Sequence, residues 1–141
     1  MLLAACASAG RTPAASDQLP RQYVAIADAG NHHLERDFDG LRSDRGDLGL
    51  ARRYLLDAAA TERLFDRRLL SLRLPTSIEV VARQLVAANE SRARLADKAA
   101  ASVSLAELRG YEARLTAANA PVEDAVRVIR DMLGLPPPET S

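Results

Sequence analysis

The sequence predicts an all-α fold: an antiparallel up-down-up-down four-helix bundle whose last helix is kinked near Pro121. Three observations carry this. Aromatic residues make up only 4% of the 141 residues, Trp is absent, and the apolar content is mostly Ala and Leu. These residues favour helices, whereas strands draw on β-branched and aromatic side chains. Apolar residues recur at three- and four-residue steps over four segments of similar length, and short links between such segments force antiparallel neighbours. Without its two ends the chain keeps about 115 residues, enough for one core without disulfides or metal.

The first helix is expected over about 20–42. Pro20 suits a first turn, where its missing N–H costs nothing. Tyr23, Ile26, Gly30, Leu34, Phe38 and Leu41 share one face. Ser43-Asp44-Arg45-Gly46 reads as a turn.

A second helix follows over about 48–72, with Asp47 as N-cap. Its stripe is Ala51, Leu55, Ala58, Glu62, Phe65, Leu69 and Leu72, and Pro75 ends the segment. The third is expected over about 77–101. Thr76-Ser77-Ile78-Glu79 has the pattern of a capping box, in which the hydroxyl takes one orphan N–H and the Glu reaches back to another. Its stripe is Ile78, Val81, Leu85, Ala88, Arg92, Leu95 and Ala99.

The fourth helix follows a second capping-box pattern, Ser104-Leu105-Ala106-Glu107, with Val103 and Leu108 placed for a hydrophobic staple. Its stripe passes Leu105, Leu108, Glu112, Leu115, Asn119, Val122, Val126, Ile129 and Leu133. The register continues across Pro121, so a kink rather than a stop is expected there. Gly134 fits a left-handed C′ site and Pro136 forbids continuation. Glu79/Arg83, Glu90/Arg94 and Glu123/Arg127 are acid-before-base pairs four apart, which support exposed helix faces.

Polar residues stand where the core should be. Glu62, Arg92, Glu112 and Asn119 interrupt the stripes, and His33 and Asn89 flank theirs. At ~1.5 Å rise per residue, antiparallel stacking puts His33, Glu62, Asn89, Arg92 and Asn119 in the middle third of the bundle, with Glu112 further along. The leading reading is a buried network in which Arg92 pairs with Glu62 or Glu112 and fixes register among otherwise interchangeable Ala/Leu surfaces. Boundary residues in solvent, and a ligand or metal site on His33, Glu62 and Glu112, are the other two.

Composition excludes several function classes. Net charge is zero and Lys98 is the only lysine, so the electrostatic footprint of nucleic-acid binding is missing. One cysteine allows neither an internal disulfide nor a Cys-rich zinc site. No run reaches the ~20 apolar residues of a membrane-spanning helix. Neighbouring His32 and His33 point about 100° apart on a helix and do not easily share an ion. No haem-attachment, P-loop, dinucleotide or zinc-protease motif occurs. No catalytic residue, metal or cofactor is therefore expected, and the protein reads as non-enzymatic.

The N-terminus adds location. Leu3-Ala4-Ala5-Cys6 resembles the lipobox of bacterial lipoproteins, and a stretch of Ala, Ser, Gly, Thr and Pro, with Arg11 among them, follows to Ser16. Such a stretch packs no core and reads as a tether. The resemblance implies a signal peptide, a lipid on Cys6, and anchoring at the extracytoplasmic face of the cell membrane. A secretory signal needs a basic region and ~7–15 apolar residues before the cleavage site. Only five residues, none charged, precede Cys6. The start codon then lies further upstream, or the chain has been shortened, or the match is chance. The helical part, through Ala88-Asn89-Glu90, Ala118-Asn119-Ala120-Pro121 and Gly134-Leu135-Pro136, resembles small Ala/Arg-rich lipoproteins of high-GC Gram-positive bacteria, which implies a cell-envelope location and no activity.

The expected organisation is a truncated signal, lipobox and tether over 1–19, the bundle over 20–135 and a Pro-rich tail over 136–141. The expected function is a membrane-tethered, non-enzymatic module that binds an envelope protein partner or a small ligand. A metal- or cofactor-binding bundle and a cytosolic helical adaptor are the alternatives.

Overall fold

The computed structural model describes residues 15–138, and the chain is all-α over them. The lipobox and Cys6 lie outside the described residues, as does the tail from 139. Three long helices come first: α1 (Ala15–Ser43), α2 (Leu48–Ser71) and α3 (Thr76–Ala100). The fourth arm is divided into α4 (Leu105–Arg109), α5 (Glu112–Ala117) and α6 (Asn119–Met132). α1 packs on α2, α2 on α3, and α3 on the fourth arm, chiefly α6. The result is a four-helix bundle with antiparallel neighbours. Among the described residues no helix is long and apolar enough to cross a membrane.

α1 begins at Ala15, so part of the expected tether is helical and Pro20 is the sixth helical residue rather than a first-turn one. The link to α2 is tied by side chains. Asp47 Oδ1 accepts from Leu50 N at 2.9 Å, the bond its N-cap position predicts. The Tyr54 hydroxyl donates to Asp44 Oδ2 at 3.0 Å, and its ring lies over Gly40, where an added Cβ would collide with it.

Two of the expected caps differ. Pro75, extended at φ −57° and ψ 148°, is itself the N-cap of α3, and its carbonyl accepts from Glu79 N at 2.9 Å. Thr76 is thereby inside the helix and caps nothing, and Glu79 pairs forward with Arg83 at 2.6 Å. At α4, Ser104 Oγ accepts from Glu107 N at 3.2 Å, whereas the Glu107 carboxylate accepts from Val103 N at 2.8 Å, one residue upstream of the box position. Val103 is 84% exposed, so the staple is not made. Leu108 packs instead on the α2–α3 end of the core.

The fourth arm breaks near Gly110 and again at Ala118, the second break within one turn of Pro121 as expected. Pro121 is the third residue of α6, in the first turn, where an N–H has no helical partner to lose. The break at Ala118 spares its ring the carbonyl of Ala117, with which a continuous helix would collide. α6 ends as its sequence predicts. Gly134 has φ 67°, Leu135 N–H donates to Arg130 O at 2.8 Å, and Gly134 N–H donates to Asp131 O at 3.0 Å. This is a Schellman motif. Arg127 pairs with Asp124 at 2.9 Å rather than with Glu123.

The apolar interior has two parts. One gathers Tyr23 and Ala27 of α1, Leu69 of α2, Leu85 of α3 and Val122 and Ile129 of α6. The other is built from Leu55 and Ala59 of α2 with Ala93, Ala96, Ala99 and Ala100 of α3, and Leu41, Leu108 and Leu115 pack against it. The fully buried residues of the two parts stop at Ala59 and Leu69 on α2 and at Ala93 and Leu85 on α3, and on the fourth arm partly buried Leu115 and buried Val122 bound them. The interval on each helix holds polar residues.

Candidate functional site

That interval is a polar layer across the bundle. α2 contributes Glu62 and Asp66, one turn apart; α3 contributes Asn89 and Arg92; Asn119 opens α6. Arg92 Nε donates to Glu62 Oε1 at 2.8 Å, and Arg92 Nη1 donates to Asn119 Oδ1 at 3.0 Å. Asn89 Nδ2 donates to Asp66 Oδ1 at 2.6 Å. The layer joins three helices by directional bonds, where the apolar surfaces above and below it carry no such preference.

Burial shapes its electrostatics. Glu62 is only 4% exposed, and loss of water pushes its carboxyl up to about 7 against the opposing pull of Arg92. Burial likewise pushes Asp66 up to about 6, opposed by the hydrogen bond from Asn89. Both acids thus titrate near neutrality. Outside the layer, Arg63 bridges Glu90 at 3.0 Å and Asp97 at 2.7 Å, and Arg63 and Arg94 hold the Glu90 carboxyl below its ordinary value.

The layer faces a cavity of about 90 Å³ lined by Glu62, Asn89 and Arg92 together with Tyr23 and Asn31 of α1 and Val126 and Arg130 of α6. Two of the lining residues hold a buried oxygen without a hydrogen-bond partner, Glu62 Oε2 and Asn89 Oδ1. Most buried polar atoms in proteins are paired, so two orphans on neighbouring residues ask for an explanation. Tyr23 is 1% exposed, and burial raises its phenol above the ordinary value, so it stays neutral there.

The structure brings together Glu62, Asn89, Arg92 and Asn119 among the residues singled out in the sequence. Two are corrected. His33 is exposed, on the outer α1–α2 face, and its ring lies edge-on to that of His32 with centroids 6.1 Å apart. Glu112 is exposed because the break near Gly110 resets the phase of the fourth arm, so the straight-helix stripe does not carry through it. No three His, Cys, Asp or Glu side chains converge on one point among the described residues, so His33, Glu62 and Glu112 form no metal set.

Asp66 was missed. Its signal was its place four residues after Glu62, on the buried face that continues to Leu69. Asp37 was missed as well. It is 2% exposed, its Oδ2 has no partner, and Arg36 is the nearest cation, 3.5 Å from Oδ1. Asp37 borders an open groove of about 400 Å³ between α1 and α2, shared with His33, Asp57, Phe65 and Arg68.

Compared with known proteins, the chain matches no family model, no curated protein and no solved structure. Fold and site rest on the residues themselves: an all-α four-helix bundle with a polar layer and a small cavity at its middle.

Proposed function

We propose that this protein is an exported, non-enzymatic binding module, held at the extracytoplasmic membrane face by a lipid on Cys6, whose mid-bundle cavity receives a small ligand. One observation carries the binding part: Glu62 and Asn89 line the same cavity, and each holds a buried acceptor oxygen, Oε2 and Oδ1, that lacks a donor. An unsatisfied buried acceptor costs about 1–3 kcal/mol, so a bound donor would recover part of that. Bundle interiors are a common place for such sites. The tether part rests on Leu3-Ala4-Ala5-Cys6 and the stretch of mostly Ala, Ser, Gly, Thr and Pro after it. An envelope protein partner could reach the exposed helix faces while the cavity is occupied.

Intact and native mass spectrometry of the protein from membranes of its host tests both parts. The expected species begins at Cys6 with added lipid mass and carries a non-covalent small-molecule adduct. A soluble species with an unmodified thiol refutes the tether. A bare protein that no compound in a thermal-shift library stabilises refutes the binding module.

A further inference from the structure

The cavity beside the polar layer carries more positive than negative charge, which defines the chemistry of what it takes; the inference rests on the binding-module reading. Its lining carries two guanidiniums, Arg92 of α3 and Arg130 of α6, against one carboxylate, Glu62 of α2. Asp66 does not line it and is held by Asn89. Tyr23 of α1 brings no charge. The donors are in surplus in the same sense. A guanidinium has five N–H groups. Arg92 gives Nε to Glu62 and Nη1 to Asn119, and its Nη2 has no partner among the described residues. Arg130 gives Nε to Pro136 O, and neither of its Nη atoms has a partner among them. Leu34, Phe65 and Val126 make part of the wall apolar.

We infer that the cavity binds a small aliphatic monocarboxylate, its head between the guanidiniums of Arg92 and Arg130 and its alkyl end on Leu34, Phe65 and Val126. The two oxygens of a carboxylate match the forked N–H groups of a guanidinium and take charge-assisted hydrogen bonds from it. One negative charge balances the lining. A dianion such as hydrogen phosphate exceeds it, and a cation adds to the two already there. Size agrees: about 90 Å³ is room for about three waters at ~30 Å³ each, and so for about five heavy atoms, the size of propionate. The charge of the ligand also favours a proton on Glu62, which relieves the buried, partnerless Oε2 of its charge.

The test is a titration of the full chain with sodium propionate at pH 6.5, followed by thermal unfolding and calorimetry. Propionamide, which has the same shape without the charge, propylammonium chloride and sodium chloride serve as controls at equal ionic strength. Propionate is expected to raise Tm saturably and the controls not. Arg130→Gln should weaken binding at least tenfold, whereas Arg127→Gln, exposed on the same helix, leaves it unchanged. The charged and titratable groups around Glu62 are Arg63 and Asp66 on its own helix, Tyr23 on α1, Arg92 on α3 and Arg130 on α6. Affinity should rise as pH is lowered from 8 to 6 and Glu62 takes up its proton, and Glu62→Gln should lose most of that rise. Ala27→Leu narrows the cavity with both guanidiniums intact and should abolish binding. It keeps the test open if Arg130→Gln does not fold by circular dichroism. Equal effects of propionate and propionamide, an affinity that stays flat or falls towards pH 6, or unchanged binding in Arg130→Gln and Ala27→Leu overturn the inference. A neutral or cationic compound whose stabilisation is lost in Ala27→Leu overturns the carboxylate but keeps the binding module. Absence of any compound sensitive to Ala27→Leu overturns both.

Discussion

Arg92 on α3 and Glu62 on α2 form an ion pair of 2.8 Å in which the Glu62 side chain is 4% exposed and the Arg92 side chain 13%. Such a pair gives little net stability over an apolar pair of the same shape, because both charges have left water. Its cost appears when one partner is removed.

Arg92→Leu should therefore destabilise the fold by about 3–5 kcal/mol, since it leaves Glu62 without its cation. The double variant Glu62→Leu/Arg92→Leu should recover most of that loss. Urea unfolding of the four members of the cycle measures it. If the double variant is as unstable as Arg92→Leu alone, the pair is not what the single substitution disrupts. If it unfolds cooperatively with unchanged helix pairing, the pair does not specify register.

The pH dependence follows from the same carboxyl. Glu62 binds its proton more tightly in the folded than in the unfolded chain, at about 7 against 4.5. Folding is then favoured when Glu62 is protonated, and stability is lost as pH rises from the unfolded value through the folded one. Glu62→Gln has no proton to lose. Its stability relative to wild type should rise between about pH 4.5 and 7, by up to about 3 kcal/mol. Denaturation midpoints of both proteins at pH 4, 6 and 8 decide this. A difference constant with pH would show that folding leaves the Glu62 carboxyl at its ordinary value.

The α1–α2 turn offers a coupling test. Alanine is a better helix former than glycine by about 1 kcal/mol. At Gly40, however, a Cβ would collide with the Tyr54 ring and push its hydroxyl off Asp44. Gly40→Ala should be neutral or destabilising in the wild type, and stabilising by about 1 kcal/mol in a Tyr54→Ala background. Equal effects in the two backgrounds would mean that ring and glycine are not in contact in solution.

Gly134 and Gly46 form a second contrast. Neither has an atom near its would-be Cβ, but Gly134 alone has positive φ, at 67°. Gly134→Ala should cost about 1 kcal/mol through backbone conformation, while Gly46→Ala should stay within about 0.5 kcal/mol of wild type. Thermal unfolding of the two single variants reads this out.

The helices were legible in the sequence because Ala, Leu and Arg in a three-four rhythm leave no other way to bury an apolar face. The Asp47 cap and the Gly134 stop were legible because each rests on local chemistry within a few residues. Thr76 was misplaced because a proline can serve as N-cap through its own carbonyl, which a hydroxyl-based pattern does not register. Within the polar layer, Glu62, Arg92 and Asn119 stood out by breaking a stripe. Asp66 did not, since the stripe had been drawn through Phe65, its neighbour. Glu112 was assigned by extrapolating one helical phase over a segment that breaks near Gly110. Asp37 lay beside Phe38 and was hidden in the same way.

The division of the interior into two unequal parts has a consequence for how the molecule opens. The end built on Leu55 and five alanines buries less hydrocarbon than the end built on Tyr23, Leu69, Ile78, Leu85 and Ile129. It also carries the short, interrupted helices α4 and α5. Free energies of local opening follow buried apolar contact. Amides around Ala96–Leu115 should then exchange with solvent ahead of those around Leu69 and Leu85. The charged middle would act as a firebreak, letting the alanine end fray while the other half stays shut.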